Sequence, residues 1–151
     1  MSRRPSFELL LVLFILISHL FVAFAPANNL TNCYTTDDAF YYFKVSQFAS
    51  EGRGFTFDGI GRASGFHPLW MLICIPVFTL ARFNLILPLR ILVMVSALLC
   101  AGSGILLFRL LRRVLSTPVA VLMTVFWTIS TSVHPVITQL GMESSVNAFS
   151  L

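Results

Sequence analysis

The sequence predicts an all-α integral membrane protein: several transmembrane helices, with a long first external loop that carries short juxtamembrane helices. Two observations drive this. Of 151 residues, 57% are hydrophobic and only 11% charged, with a mean hydropathy of +0.87, whereas soluble domains carry about 25% charged residues. The apolar residues also fall in long runs separated by short polar stretches. A water-soluble fold is excluded for want of a charged surface. Disorder is excluded because it needs low hydrophobicity and high charge.

Taken in order, Arg3 and Arg4 precede a run from Phe7 to Ala25 interrupted only by Glu8, Ser18 and His19. That run reaches roughly 28 Å as a helix, enough to span a bilayer. Ala23-Phe24-Ala25 resembles a signal-peptidase site, but Pro26 directly behind it restricts the backbone a peptidase must grip. The run therefore reads as a retained first span. From Ala27 to Phe66 the composition turns polar and aromatic, and four of the six acidic residues, Asp37, Asp38, Glu51 and Asp58, lie there. Thr35-Thr36-Asp37-Asp38 is a helix start, with Ala39 to Ser50 as its body and Gly52 and Gly54 as its stop. Gly59, Gly61 and Gly65 punctuate an irregular stretch.

Three apolar runs follow: Pro68 to Ala81, Ile91 to Phe108, and Val114 to Met142. If each crossed once, Arg109, Arg112 and Arg113 would lie outside, against the positive-inside rule. Pro68 to Ala81 is short, broken by Pro76, and opened by His67-Pro68 and Trp70. It therefore reads as an interfacial or re-entrant helix. The expected organisation is a span at 7–25, an external loop at 26–87, a span at 88–111, a cytoplasmic loop at 112–116, a span at 117–133, and the start of another from about 143. The apolar stretch Val146 to Leu151 looks like an unfinished span, so the chain reads as the N-terminal part of something longer. Asp37, Asp38 and Glu143 fall on one outer side. The middles of the spans, Leu92 to Leu107 and Val119 to Val133, carry no charge, which argues against a transporter's midplane charges.

Cys33, Cys74 and Cys100 have no CxxC spacing, and the last two sit in apolar runs, so they read as packing residues. No P-loop, GxGxxG, zinc-ligand spacing or nucleophile elbow is present. Nothing points to nucleic acid.

The order Asp37-Asp38-Ala39-Phe40-Tyr41-Tyr42-Phe43, Glu51-Gly52-Arg53-Gly54-Phe55-Thr56-Phe57-Asp58-Gly59, then Ser64-Gly65-Phe66-His67-Pro68-Leu69-Trp70 resembles the first external loop of bacterial GT-C membrane glycosyltransferases. Within that superfamily it is most similar to the family 39-type enzymes, which include protein O-mannosyltransferases and lipid A aminoarabinose transferases. Gly141-Met142-Glu143 is similar to their second acidic motif. The resemblance implies sugar transfer from a polyprenyl-phosphate donor, with inversion, at the outer face of a bacterial inner membrane. Asp37 matches the catalytic acid, Asp38 its neighbour and Glu143 the second acidic site. A divalent cation held by Asp37, Asp38 and Glu143 is compatible with the pattern but not required by it. Those enzymes have many more spans than this chain.

The residues support such chemistry on their own terms. An acceptor hydroxyl needs a base, which a carboxylate supplies. A donor phosphate needs cations, and Lys44, Arg53, Arg62 and His67 lie in the same loop. The helix from Leu69 to Leu80 offers an apolar surface to a lipid tail. Each residue also has a plainer reading. Asp37 can cap its helix, Asp38 can serve the helix dipole, Glu143 can start a helix and His67 can cap one. Tyr41, Tyr42 and Trp70 read as interface aromatics, and the three arginines as topology determinants. Gly102 and Gly104 read as close-packing positions. The rival to an enzyme is a non-catalytic membrane protein, either a transport component or an assembly partner, or an inactive truncated copy.

Overall fold

The structure, a computed structural model, describes residues 6–81, 84, 86–138, 142, 143, 146 and 149. Its regular elements are all helical: α1 (Phe7–Ala23), α2 (Ala27–Asn29) running into a π-helical turn at Leu30–Tyr34, α3 (Asp37–Ser50), α4 (Pro68–Leu80), α5 (Leu87–Val114), and α6 (Thr117–Thr128), which continues through a π turn at Ile129–Val133 into α7 (His134–Thr138). Among the described residues two helical stretches, Leu87–Val114 and Thr117–Val136, are long and apolar enough to cross a membrane. A third joins them if α1 and Ala27–Tyr34, bent by 105°, count as one.

α1 starts where the Ser6 hydroxyl accepts from the Leu9 N–H at 3.3 Å. It stops before Pro26, whose ring pushes Ala25 out of the helical region. It packs antiparallel to α5. At one end of the pair Arg109 Nε and Nη2 each donate to a Glu8 carboxylate oxygen at 3.0 Å, and the Phe7 and Phe108 rings lie 4.5 Å apart. Further along, Leu11 and Ile15 pack on Cys100 and Ala101. Gly104 is needed here: a Cβ on it would stand 3.1 Å from Leu11 Cδ2. Gly102 is similarly tight against Phe149, at 3.1 Å. On the α1 side Gly104 thus lets the two helices approach closely.

The antiparallel pairing fixes the geometry of everything between. The chain enters α5 at the end where it left α1, so residues 24–86 return to the end from which they set out. We call this the loop end, and the other, which carries Arg109, Arg112 and Arg113, the arginine end. α4 packs on α3 and on the first turns of α5, where Trp70, Met71 and Cys74 join Leu89, Leu92 and Val93 in one buried cluster. From the arginine end α6 rises after only Leu115 and Ser116, and α7 reaches the π turn at Leu30–Tyr34.

Two boundaries differ from the sequence expectation. α5 runs on to Val114, which reduces the expected 112–116 loop to two residues. The expected helix at 117–133 changes hydrogen-bond register at Ile129 and then continues to Thr138. Hydroxyls and a proline account for this. Thr124 and Thr131 donate back to the carbonyls of Ala120 and Trp127, both at 2.7 Å, which loosens the ladder. Pro135 has no N–H to give it. The expected further span from 143 lies mostly outside the described residues.

Candidate functional site

α3 positions the site. Its residues Ala39, Tyr42, Phe43 and Ser46 recur at helical spacing and are buried, forming the face that docks on α4. Three side chains then stitch α3 to the segment after it. Ser46 Oγ donates to Met71 Sδ at 3.0 Å, Tyr41 Oη donates to the Ser64 carbonyl at 2.6 Å, and Tyr42 Oη accepts from the His67 N–H at 2.9 Å. The chain can turn back because Gly52 and Gly54 take φ of 79° and 82°, a region open to glycine.

The loop in between is held by Asp58. Its carboxylate accepts from the Ile60 and Gly61 N–H groups at 2.8 and 3.0 Å and from the Thr56 hydroxyl at 3.1 Å. An isolated antiparallel bridge joins Thr56 to Arg62. The two backbone N–H groups hold the Asp58 carboxyl below the ordinary carboxylate range. Asp58 is thereby committed to the loop.

Tyr42 is the hub. Its ring is buried, only 6% exposed, and burial raises its phenol pKa, with the Glu143 carboxylate facing the hydroxyl adding to the rise. His67, from whose backbone N–H the hydroxyl accepts, and Glu143, which faces it, each carry a buried polar atom with no hydrogen-bond partner among the described residues, Nδ1 and Oε2 respectively. Thr36 Oγ1 and Arg90 Nε, also at the loop end, are in the same condition. Natural interiors rarely leave such groups unpaired. A hydroxylated or anionic ligand would supply what they lack: a donor for the carboxylate, acceptors for the guanidinium and hydroxyl.

The residues singled out from sequence fall into three places. Asp37 and Asp38 occupy the first turn of α3, both exposed. The N-cap is Thr36, without a side-chain cap bond, so Asp37 does not cap the helix. Asp38 stands one turn before Tyr42 on the same face. His67 holds the N-cap position of α4 but makes no side-chain cap bond; its backbone N–H serves Tyr42 instead. Arg53 and Arg62 line one cavity of about 560 Å³ together with the stacked Phe55 and Phe66 rings, 5.5 Å apart, although Arg53 also pairs with Glu51 at 3.1 Å. Lys44 lines a second, apolar groove, although its Nζ and the Arg53 guanidinium both lie over the Phe48 ring, 4.4 and 5.0 Å from its centroid. Among the described residues no three His, Cys, Asp or Glu side chains are placed to hold a metal ion.

Tyr42 and Trp70 were expected as interface aromatics. Both are buried instead, Trp70 completely, because α3 and α4 cover each other. Cys74 and Cys100 are buried and Cys33 is exposed; burial pushes the Cys74 thiol up to about 12, which leaves it unreactive. Sequence reasoning missed Thr36 and Arg90. An arginine inside the first turn of an apolar helix was the available signal for the latter.

No protein-family model matches the chain, no curated protein matches it by sequence, and no solved structure matches it.

Proposed function

We propose that the protein is a membrane glycosyltransferase of the GT-C type, taking a sugar from a polyprenyl-phosphate donor to an acceptor at the outer face of a bacterial cytoplasmic membrane. The observation that supports this best is the Tyr42 hub, where an acid from the far end of the chain, Glu143, meets the helix that opens with Asp37 and Asp38. The arginine end is the cytoplasmic one in this reading, by the positive-inside rule.

In the reaction, Asp37 takes the proton of the acceptor hydroxyl as that oxygen bonds to the anomeric carbon. The bond from the anomeric carbon to the phosphate oxygen breaks in the same displacement, its electron pair leaves on the polyprenyl phosphate, and configuration inverts. Arg53 and Arg62, on one cavity, meet the phosphate charge. The free oxygen of Glu143 orients a sugar hydroxyl.

Release of polyprenyl phosphate from a polyprenyl-phosphate sugar by membranes containing the protein tests the assignment. Asp37→Asn is expected to lower turnover by about 10²-fold or more, the scale of a lost general base, with membrane insertion unchanged. Glu143→Gln is expected to lower it about tenfold, as one charge-assisted hydrogen bond weakens. Turnover at the wild-type rate in Asp37→Asn contradicts the reading.

A further inference from the structure

A groove of about 450 Å³ opens between α3, α4 and the first turn of α5, well inside the range of small-molecule sites, roughly 300–1,000 Å³. Phe40, Phe43, Lys44 and Gln47, at i, i+3, i+4 and i+7, form one wall, and Phe78 and Leu89 close the other side. Among the described residues Lys44 is the one charged residue lining it. Its Nζ rests 4.4 Å from the centroid of the Phe48 ring, and among the described residues it has no carboxylate at ion-pair distance. The groove sits where a span-length apolar helix begins. Leu80 and Leu87, two residues after Phe78 and two before Leu89, are 83% and 42% exposed, an apolar surface suited to bilayer hydrocarbon.

We propose that this groove binds one anionic membrane phospholipid, with an acyl chain between Phe43, Phe78 and Leu89 and the phosphate at Lys44. Charge and polarity select that occupant. A cation with no ion-pair partner among the described residues, on the lining of an apolar slot, complements a phosphate joined to a hydrocarbon chain. A peptide segment in the same slot would leave its backbone N–H and C=O groups against phenyl rings, unpaired and costly. An acyl chain has none to satisfy. The proposal stands independently of glycosyl transfer.

Native mass spectrometry of the full chain in detergent, titrated with palmitoyl-oleoyl phosphatidylglycerol or phosphatidylcholine, tests it. One phosphatidylglycerol is expected to be retained about fivefold more tightly than phosphatidylcholine, matching the ~1 kcal/mol of one lysine at an anionic surface. Lys44→Gln is expected to erase the headgroup preference and Lys44→Arg to keep it. Gln47→Trp, which fills the mouth, is expected to lose the bound lipid. Arg113→Gln, the same charge change at the arginine end, is expected to alter nothing. Unchanged helical circular dichroism establishes that each variant folds. Equal retention of both lipids by the wild type, a preference that survives Lys44→Gln, or an equal loss in Arg113→Gln overturns the proposal. So does a dimer, with no retained lipid, that Gln47→Trp dissociates.

Discussion

Along the α1–α5 pair the side chains leave little undone. Glu8 and Arg109 take each other's hydrogen bonds, Phe7 meets Phe108, and Gly104 admits Leu11. At the loop end, by contrast, Thr36 Oγ1, His67 Nδ1, Arg90 Nε and Glu143 Oε2 are buried with no partner among the described residues. Thr128 Oγ1, at the start of the π turn that leads there, is in the same state. An unpaired buried polar group costs about 1–3 kcal/mol, so their concentration in one half of the molecule is expensive. Departures from a locally consistent structure gather where a ligand completes the interactions. The pair is scaffold; in the proposed function the loop end is the working half.

The largest expected effect probes the scaffold. Gly104→Val puts β-branched methyls where even a Cβ lies 3.1 Å from Leu11 Cδ2, and overpacking of this kind costs about 1–3 kcal/mol. The midpoint of thermal unfolding in micelles should fall by several degrees. An unchanged midpoint would mean that α1 does not rest on α5 there.

A smaller effect belongs to the hub. Tyr42→Phe removes the acceptor of the His67 N–H and the hydroxyl facing Glu143, at a cost of about 1–2 kcal/mol. Because the folded pKa of the phenol is raised, its contribution is complete below the unfolded value of about 10 and is lost as pH rises through the folded value. Tyr42→Phe should therefore also remove an alkaline component of the wild-type stability profile. Retention of that component would assign it to another group.

The smallest effect has the opposite sign. Thr128→Val swaps a buried, unpartnered hydroxyl for a methyl of similar size, and stability should stay level or rise by up to about 1 kcal/mol. A loss of more than that would show the hydroxyl to be paired and would move the π turn to the scaffold side of the comparison.

Much of the scaffold was legible because its signals are local. Pro68, Pro88 and Pro118 stand in the first turns of α4, α5 and α6, and Gly52 and Gly54 follow α3. The run lengths located the helices to within a few residues. The two π turns were not legible, since they depend on which carbonyls nearby hydroxyls take and, at the second, on the N–H that Pro135 lacks. Nor was the pairing of Glu8 with Arg109, which only the packing of α1 on α5 creates. Of the site, the acids and the cations were visible as residue types, but their grouping was not. Lys44 shares a helical face with Phe40 and Gln47 and lines a different cavity from Arg53 and Arg62, with the Phe48 ring beneath both Lys44 and Arg53. Tyr42, an aromatic near a membrane surface, looked like an interface anchor until α4 covered it.

In the proposed function the acids of α3 and Glu143 work on one side of a membrane, opposite the arginines. Single-cysteine accessibility tests it most directly, with Asp58→Cys, Glu143→Cys and Arg112→Cys placed one at a time in a background freed of Cys33, Cys74 and Cys100. Labelling of positions 58 and 143 by an impermeant maleimide from outside, with position 112 reached only after permeabilisation, is the predicted result. Labelling of 143 together with 112, and not with 58, would put Glu143 across the membrane from Asp37 and end the shared-site account.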